Sequence, residues 1–337
     1  MKVDTGFSFT SSLDTRHSAV EAERAGYAGI WTSEVKHDPF VGLAVAAVAT
    51  ERIELGTSIA VAFARNPMSM AVVGNDLQTL SKGRLLLGLG SQVRAHIVRR
   101  FAMPWSHPAP RMREYILAMR AIWDAWHNGT KLDFRGEFYS HTLMTPFFDA
   151  GPNEYGPPRV LLAGVGAAMT AVAGEVCDGF LCHGFTTERY LREVTMPALA
   201  EGGRRAGNDL DGYEVVGSPL IVTGRNEEEM AAARRGVRSQ IAFYGSTPAY
   251  RGVLELHGWG DLADRLHDLS RSGGWNEMGP LIGDEVVEAF AVEAEPDKVA
   301  DALLSRYGDL MTRMTFYMPY DADRSVAEQI AEQMRAA

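Results

Sequence analysis

Cysteine, basic charge and long apolar runs are all scarce in this sequence. Only two cysteines occur among 337 residues, Cys177 and Cys182, and they form neither a C-x-x-C pair nor another metal-ligand spacing. This excludes a disulfide scaffold and predicts two buried thiols, no bound metal and a reducing, cytoplasmic location. No segment approaches the ~20 apolar residues of a membrane helix, and the first residues lack an apolar stretch of signal-peptide type.

The charge balance is acidic, with 33 Lys and Arg against 43 Asp and Glu. Proteins that bind nucleic acid or anionic membranes neutralise phosphates with clustered Lys and Arg, so the sequence predicts neither partner. Hydrophobic residues make up 46% of the chain, close to the globular average of about 45–50%. The chain can therefore bury a full core.

Short β-type runs alternate with helical segments along the chain, which is the pattern of a parallel sheet. Eight such runs favour a closed (β/α)8 TIM barrel over an open doubly wound sheet. We predict one α/β domain over residues 1–337, with a helical insertion at 245–295, because that stretch is too long for a bare loop. The predicted strands are Val3–Phe9, Gly29–Ser33, Ile53–Val61, Arg84–Leu89, Val160–Ala163, Gly179–Cys182, Glu214–Val222 and Arg313–Tyr317.

Helical segments fill the intervals between these strands. In Arg111–Trp126, apolar and aromatic residues recur at helical spacing, which indicates a helix packed on the core. Pro197 predicts a bend inside the helix Glu188–Ala206, and the interval Asn128–Pro158 looks irregular. Further predicted helices are Ser12–Ala25, Pro39–Thr50, Met70–Leu80, Ala167–Val176, Glu227–Phe243, Pro296–Tyr307 and one beginning at Arg324.

The working residues of a barrel enzyme lie just after the strands, at the carboxyl end of the barrel. Glu34, Lys36, His37 and Asp38 follow the second strand. Glu and His are the usual proton-transfer groups near neutral pH, so Glu34 and His37 are the predicted catalytic residues. The alternative is a solvated loop in which Asp38 caps the helix that begins at Pro39.

Polar side chains also follow the fourth and sixth strands. Gly90 and Ser91 end a Gly-x-Gly run whose backbone can approach a ligand closely, and Gln92 and His96 come next. His183 stands directly after the sixth strand. We predict that Gln92, His96 and His183 lie on the substrate side of the site; at position 183, a purely structural histidine is the alternative.

A glycine-rich turn follows the fifth strand and opens a helix, with the residues Gly164, Val165, Gly166, Ala167 and Ala168. Free N–H groups and the positive dipole end at such a helix N-terminus suit a phosphate. The dinucleotide fingerprint fails here, because Met169 occupies its third glycine position and the next strand ends without an acid for a ribose hydroxyl. We therefore predict a phosphate cradle and no nicotinamide site. The alternative is that the glycines only allow tight packing.

No Ser-His-Asp or Cys-His arrangement stands out, so a cofactor is expected to carry the reactive step. Four motifs at the strand ends are similar to those of the luciferase-like flavin and deazaflavin barrel superfamily. More narrowly, the sequence resembles the deazaflavin (coenzyme F-420)-dependent oxidoreductases of actinobacteria. The motifs are Ala28–Glu34, Leu55–Ile59, Gly83–Ser91 and Cys177–Phe180; each is modest, and their order and spacing together are specific.

The resemblance implies an oxidoreductase that transfers hydride between coenzyme F-420, an 8-hydroxy-5-deazaflavin, and a small organic substrate. It also implies a homodimer and a non-prolyl cis peptide at Ser58–Ile59 that supports the deazaflavin ring. The ends of strands two and four, the latter at Gly90 and Ser91, would flank the reactive ring carbon, and the coenzyme phosphate would lie at the 164–168 turn. An FMN-dependent luciferase-like monooxygenase is the alternative. A barrel that binds a ligand without turnover is a third hypothesis.

Two departures from the resemblance concern the substrate. Sugar-phosphate dehydrogenases of the superfamily have a His after the acid that ends strand two, and a Glu after strand four. This chain has Val35 and Val93 at those positions, with His37 two residues further on. The sequence therefore argues against a sugar phosphate as substrate and against the catalytic pair of those enzymes.

Overall fold

Eight parallel strands close into a barrel in the computed structural model, which describes residues 1–337. Each barrel strand pairs with the next along the chain, and the last pairs with the first, where Val3 lies beside Met314. The predicted (β/α)8 barrel is confirmed. Its strands are β1 (Lys2–Gly6), β2 (Gly29–Thr32), β3 (Glu54–Thr57), β4 (Leu85–Gly90), β5 (Arg159–Gly164), β6 (Gly179–Cys182), β7 (Glu214–Gly217) and β8 (Arg313–Met314).

Helices surround the barrel, and several begin at side chains that favour a helix start. Asp38 accepts a hydrogen bond from the Phe40 N–H at 2.9 Å, with Pro39 in the first turn. None of the helices is both long and apolar enough to cross a membrane. The first eight are α1 (Ser12–Arg24), α2 (Pro39–Ala49), α3 (Pro67–Leu80), α4 (Arg94–Arg99), α5 (Pro108–Asn128), α6 (Ala167–Val176), α7 (Glu188–Tyr190) and α8 (Met196–Ala206).

The second half of the chain adds helices beyond the barrel repeat, and between residues 245 and 295 four of them form. They end in a short strand, Ala291–Glu293, that pairs in parallel with Leu220–Val222 outside the barrel. The remaining helices are α9 (Glu227–Gly245), α10 (Arg251–Leu256), α11 (Gly260–Ser272), α12 (Trp275–Met278), α13 (Asp284–Phe290), α14 (Val299–Tyr307) and α15 (Arg324–Ala336).

Several predicted elements are interrupted in the structure. The strand predicted at Ile53–Val61 breaks after Thr57 and resumes only at Ala60–Val61. The strand predicted at Glu214–Val222 leaves the barrel at Pro219, which has no N–H to donate to a neighbouring strand. The first and last strands are also shorter than predicted, since β1 ends at Gly6 and β8 at Met314.

Two further differences concern helical and irregular regions. The segment predicted as one helix, Glu188–Ala206, passes through a π-helical turn at Leu191–Thr195. This turn directly precedes Pro197, whose ring cannot donate a hydrogen bond and crowds the preceding turn. The interval Asn128–Pro158 is not entirely irregular, because Phe134–Arg135 and Ser140–His141 pair as a small antiparallel hairpin.

The barrel is closed at its amino end by buried charge. Arg313 is fully buried and donates to both carboxylate oxygens of Asp4, at 2.6 and 2.9 Å. It also pairs with Glu54 at 2.8 Å and Glu214 at 3.1 Å, while Trp31 donates its indole N–H to Asp4 at 2.9 Å. These bonds compensate a charge that could not otherwise be buried. The barrel is therefore open to a ligand only at its carboxyl end.

Apolar side chains fill the rest of the molecule in three clusters. One lies inside the barrel above the buried charges, and a 54-residue cluster lies between the strands and the helices. A separate cluster of 18 residues, including Phe185, Val237 and Phe290, lies under the helices of the second half. The insertion therefore has its own core, which fixes it against the carboxyl end of the barrel. The interior cluster is Trp31, Leu86, Leu161, Leu181 and Val216.

Candidate functional site

Glu34 is a firmly held carboxylate at the carboxyl end of β2. Only 7% of its side chain is exposed, and Oε2 accepts hydrogen bonds from the Val61 N–H at 2.8 Å and from Arg65 at 2.7 Å. Its own N–H donates to the Ile59 carbonyl at 3.1 Å. Arg65 also forms an ion pair with Asp38 at 2.8 Å. Glu34 thus joins the loop after β2 to the chain segment after β3.

His37 differs from Glu34 in that nothing holds its ring by a hydrogen bond. The residue is exposed, and its ring meets Phe9 edge to face at 5.6 Å between centroids. No hydrogen bond joins it to Glu34. Asp38, by contrast, caps α2, as the solvated-loop alternative proposed. Glu34 and His37 therefore lie in the same loop, but the Glu34 side chain is fixed by hydrogen bonds and the His37 side chain is not.

The ends of β3 and β4 are in close backbone contact. The peptide between Ser58 and Ile59 is cis, which confirms that part of the prediction. The Ile59 side chain packs over Gly90, where an added Cβ would lie 2.9 Å from its Cδ1. At Gly88, an added Cβ would lie 1.8 Å from the Thr57 carbonyl oxygen. Only glycine fits at position 88, and a side chain at position 90 would displace the Ile59 side chain, so β4 presents bare backbone beside Ile59.

The polar residues after β4 form a local loop. The Ser91 hydroxyl donates to the Gln92 carbonyl at 3.1 Å, and the Gln92 side-chain oxygen accepts the Val93 N–H at 2.9 Å. Gln92 has a positive φ of 60°, which turns the chain into α4. His96 lies exposed on α4 without a hydrogen-bond partner. The loop therefore leaves the Gln92 amide N–H groups and the His96 ring free, and no hydrogen bond joins either of them to Glu34.

The turn after β5 has the geometry of an anion cradle. Gly166 is the N-cap of α6, and no side chain caps this helix. The N–H groups of Ala167, Ala168 and Met169 consequently have no partner within the helix. A Cβ added at Gly166 would meet no atom within 4 Å, so the space in front of these N–H groups is open. Together with the helix dipole, they suit a phosphate.

His183 stands at the end of β6 among aromatic rings. Its ring centroid lies 4.7 Å from that of Tyr244, edge to face, and 4.5 Å from that of Tyr250. The hydroxyls of Tyr244 and Tyr317 are 3.0 Å apart. Phe185, which is fully buried, donates its N–H to Nδ1 of His183 at 3.0 Å. An aromatic wall therefore covers the side of the mouth formed by β6 and β8.

Comparison with known proteins places this barrel in a family. A family model described as luciferase-like monooxygenase matches residues 11–313. The chain belongs to the luciferase-like monooxygenase family. An uncharacterised protein of Mycobacterium tuberculosis is 56% identical over 297 residues, which cover 88% of this chain and 87% of that protein.

Two further relatives of this luciferase-like enzyme have named activities. The F-420-dependent glucose-6-phosphate dehydrogenase of Nocardia farcinica is 32% identical over 191 residues, covering 55% of this chain and 54% of that one. The structure of the coenzyme F-420-dependent tetrahydromethanopterin reductase of Methanopyrus kandleri has a TM-score of 0.80 at 20% identity, over 100% of this chain and 99% of that chain. At this identity, the structural likeness concerns the fold.

The sequence pattern did not predict the tyrosines of the luciferase-like enzyme's aromatic wall. Tyr317 follows β8, so the same rule that selected His183 could have found it. Tyr244 lies at the end of α9, and Tyr250 begins the segment after it. No local signal marks these two, because only the packing of the insertion brings them beside His183.

Two other features of the luciferase-like enzyme are poor candidates for its active site. A groove of about 740 Å³ lies outside the barrel between α9, α13 and α14. Its Arg234 and Arg238 are already paired with Glu293 and Asp284. The two cysteines are buried, and burial raises the pKa of both thiols, so neither supplies a thiolate near neutral pH. The carboxyl end of the barrel remains the candidate active site.

Proposed function

We propose that this luciferase-like enzyme transfers hydride between coenzyme F-420 and a small organic substrate. The observation that carries the proposal is the turn after β5, where the uncapped N-terminus of α6 opens onto free space at Gly166. Such a helix N-terminus suits a coenzyme phosphate. The strand that follows ends without the acidic residue that would bind the ribose of a nicotinamide coenzyme. The names of the Nocardia dehydrogenase and the Methanopyrus reductase support F-420 as the coenzyme.

Different residues at the mouth would hold the phosphate and the ring of such a coenzyme. The turn residues Gly164, Val165, Gly166, Ala167 and Ala168 would hold the phosphate. Ser58, Ile59, Gly90 and Ser91 would border the ring, because the ends of β3 and β4 form a surface on which no side chain projects from Gly90. When bound, the deazaflavin supplies a ring carbon that donates or accepts hydride.

Glu34 and His37 have separate roles in this proposal. The carboxylate of Glu34 already accepts two hydrogen bonds, from Val61 and Arg65, so it holds the ends of β2 and β3 in place. His37 has no partner and belongs to a residue type that transfers protons near neutral pH. His37 therefore moves the proton that accompanies hydride transfer. Gln92 and His96, whose N–H groups are free, face the substrate.

Coenzyme titration tests the proposal and separates it from an FMN-dependent monooxygenase, because FMN also carries a phosphate. The purified protein would be titrated with F-420, FMN and NADPH, with fluorescence change as the signal. We expect saturable binding of F-420 that is tighter than that of the other two. Micromolar FMN affinity with no response to F-420 would contradict the proposal and favour the monooxygenase.

We also propose that the enzyme is a homodimer. The outer surfaces of α2 and α3 carry exposed apolar side chains, with Val48 at 72% and Val41 at 53% exposure on α2, and Leu80 and Val72 on α3. Exposed apolar side chains on two neighbouring helices are suited to a protein interface. Sedimentation of the wild type should give a dimer, and Val48→Glu should shift it toward the monomer. A monomeric wild type would refute the proposal.

A further inference from the structure

The aromatic wall has no assigned part in coenzyme binding, although several distant segments build it. His183 ends β6, Tyr244 ends α9, Tyr250 precedes α10, and Tyr317 continues the chain beyond β8. The chain also makes room for these contacts: an added Cβ at Gly184 would lie 3.0 Å from the Tyr317 ring. The absence of a side chain at Gly184 therefore lets Tyr317 approach the backbone beside His183.

The hydrogen bonding of His183 fixes which ring nitrogen carries the proton. The Phe185 N–H donates to Nδ1 at 3.0 Å, so Nδ1 is an acceptor and the proton of the neutral ring lies on Nε2. Burial lowers the pKa of His183 to about 4, so the ring is neutral at pH 7. Nε2 has no hydrogen-bond partner in the chain, and the residue is only partly buried. His183 thus offers one free, uncharged N–H donor.

The residues that surround this donor are aromatic and uncharged. Burial alone lowers the pKa of His183, and burial together with a neighbouring tyrosine raises the pKa of Tyr244 and of Tyr250. No hydrogen bond or ion pair joins an Asp, Glu, Lys or Arg side chain to His183, Tyr244, Tyr250 or Tyr317, whose side-chain hydrogen bonds are those with Phe185 and between the two tyrosine hydroxyls. One of the Tyr244 and Tyr317 hydroxyls donates a hydrogen bond to the other, and the proton of the accepting hydroxyl stays free to donate to a ligand. The wall offers neutral donors between aromatic faces.

We propose that the wall of His183, Tyr244, Tyr250 and Tyr317 is the substrate subsite, and that it takes an uncharged molecule whose carbonyl or hydroxyl oxygen accepts the Nε2–H of His183. A charged substrate would lose its hydration here without gaining an ion pair. The inference rests on the proposed hydride transfer and names its substrate class. A neutral imidazole does not release its remaining proton near pH 7, so His183 orients and polarises the oxygen without transferring a proton.

Binding of three small probes to the full chain tests this assignment. Acetophenone is uncharged and has a carbonyl oxygen, 4-acetylbenzoate adds a negative charge, and phenyltrimethylammonium is a cation. Ligand-observed NMR titrations, with and without F-420, give their dissociation constants. We expect acetophenone to bind at least about tenfold more tightly than either ion. His183→Phe keeps an aromatic ring but removes the donor, and it should weaken acetophenone about five- to tenfold.

Control measurements keep the result independent of folding and of the coenzyme. His17→Asn, at an exposed position on α1 that has no part in the proposed site, should leave acetophenone binding unchanged. In wild-type protein labelled with ¹⁵N-histidine, acetophenone should shift the Nε2–H resonance of His183, which tests the contact even if the variant fails to fold. Equal acetophenone affinity in wild type and a folded His183→Phe would overturn the proposal. So would tighter binding of either ion, or an unshifted resonance.

Failure of the coenzyme proposal gives a different result. If F-420 does not bind but acetophenone still binds through His183, the subsite stands and the coenzyme assignment is wrong. If F-420 binds normally and ketone reduction is insensitive to His183→Phe, the coenzyme assignment stands and the subsite is wrong.

Discussion

Gly166→Asp is the sharpest perturbation of the proposed phosphate cradle. The position tolerates a side chain, because Gly166 has φ −80° and ψ 150° and an added Cβ would meet no atom within 4 Å. Aspartate is also a preferred N-cap, worth a few tenths of a kcal/mol over glycine. The variant should therefore fold with an unchanged or slightly higher Tm. Its carboxylate would accept hydrogen bonds from the α6 N–H groups that are proposed to bind the phosphate.

The expected loss of affinity follows from charge repulsion. A carboxylate about 5 Å from a phosphate charge is repelled by about 1–3 kcal/mol for effective dielectric constants between water and a protein surface. This corresponds to about 5- to 150-fold in Kd for F-420. Gly166→Asn is the matched control, since it caps the helix with a similar shape but no charge.

Fluorescence titration with F-420 measures the loss, and thermal unfolding checks the fold. The charged variant should bind at least about fivefold more weakly than the Asn variant. Equal affinities in the two variants, with both folded, would refute the assignment of the phosphate to the α6 N-terminus.

Three other predictions follow from the same structure. His37→Asn removes the proposed proton-transfer group, and Glu34→Gln weakens the hydrogen bonds that hold its loop in place. Each should lower the single-turnover hydride-transfer rate at least about tenfold with little change in coenzyme affinity; normal rates in both would contradict these roles. Arg313→Met leaves Asp4 buried and unpaired, and should cost about 3–5 kcal/mol, or about 4–7 °C in Tm for 337 residues; an unchanged Tm would contradict this reasoning. Burial opposes ionisation of Glu54, but the positive charges of Arg313, Arg159 and Lys2 outweigh burial and lower the pKa of Glu54. The stabilisation from ionised Glu54 is therefore present near neutral pH and is lost as the pH falls through the folded-state pKa. Tm should thus fall between about pH 5 and 3 more steeply in wild type than in Glu54→Gln, and equal slopes would contradict the assignment.

The barrel was predictable because its strands are buried on both faces, and such strands appear as short apolar runs. Gly179–Cys182 was predicted with its observed bounds, and Gly29–Ser33 extends one residue too far. The predictions failed where an apolar run continues past the point at which the backbone leaves the barrel. Leu220–Val222 has good strand residues, but Pro219 and the pairing with Ala291–Glu293 take it out of the barrel.

The site was predictable to the extent that it follows the strands. The rule that working residues come after strands selected Glu34, His183 and the glycine-rich turn. It could not show that Glu34 is held by Val61 and Arg65, because those contacts depend on how the loops after β2 and β3 fold together. The cis peptide at Ser58–Ile59 was predicted from family resemblance and is present.

The two sides of the mouth depend on different parts of the fold, and this bears on how substrate preference can vary. Glu34 and Gly166 are positioned by barrel strands and their own loops. Tyr244 and Tyr250 are positioned by α9 and the insertion, which pack around the separate 18-residue core. This core also reaches the turn that opens α6, because Val165 packs against it and Tyr190 donates its hydroxyl to the Val165 carbonyl at 3.1 Å. Substitutions of core residues that the insertion supplies, such as Leu266, should therefore shift the aromatic wall more than that turn. Substrate affinity should then change more than coenzyme affinity, because no residue of the cradle belongs to the insertion.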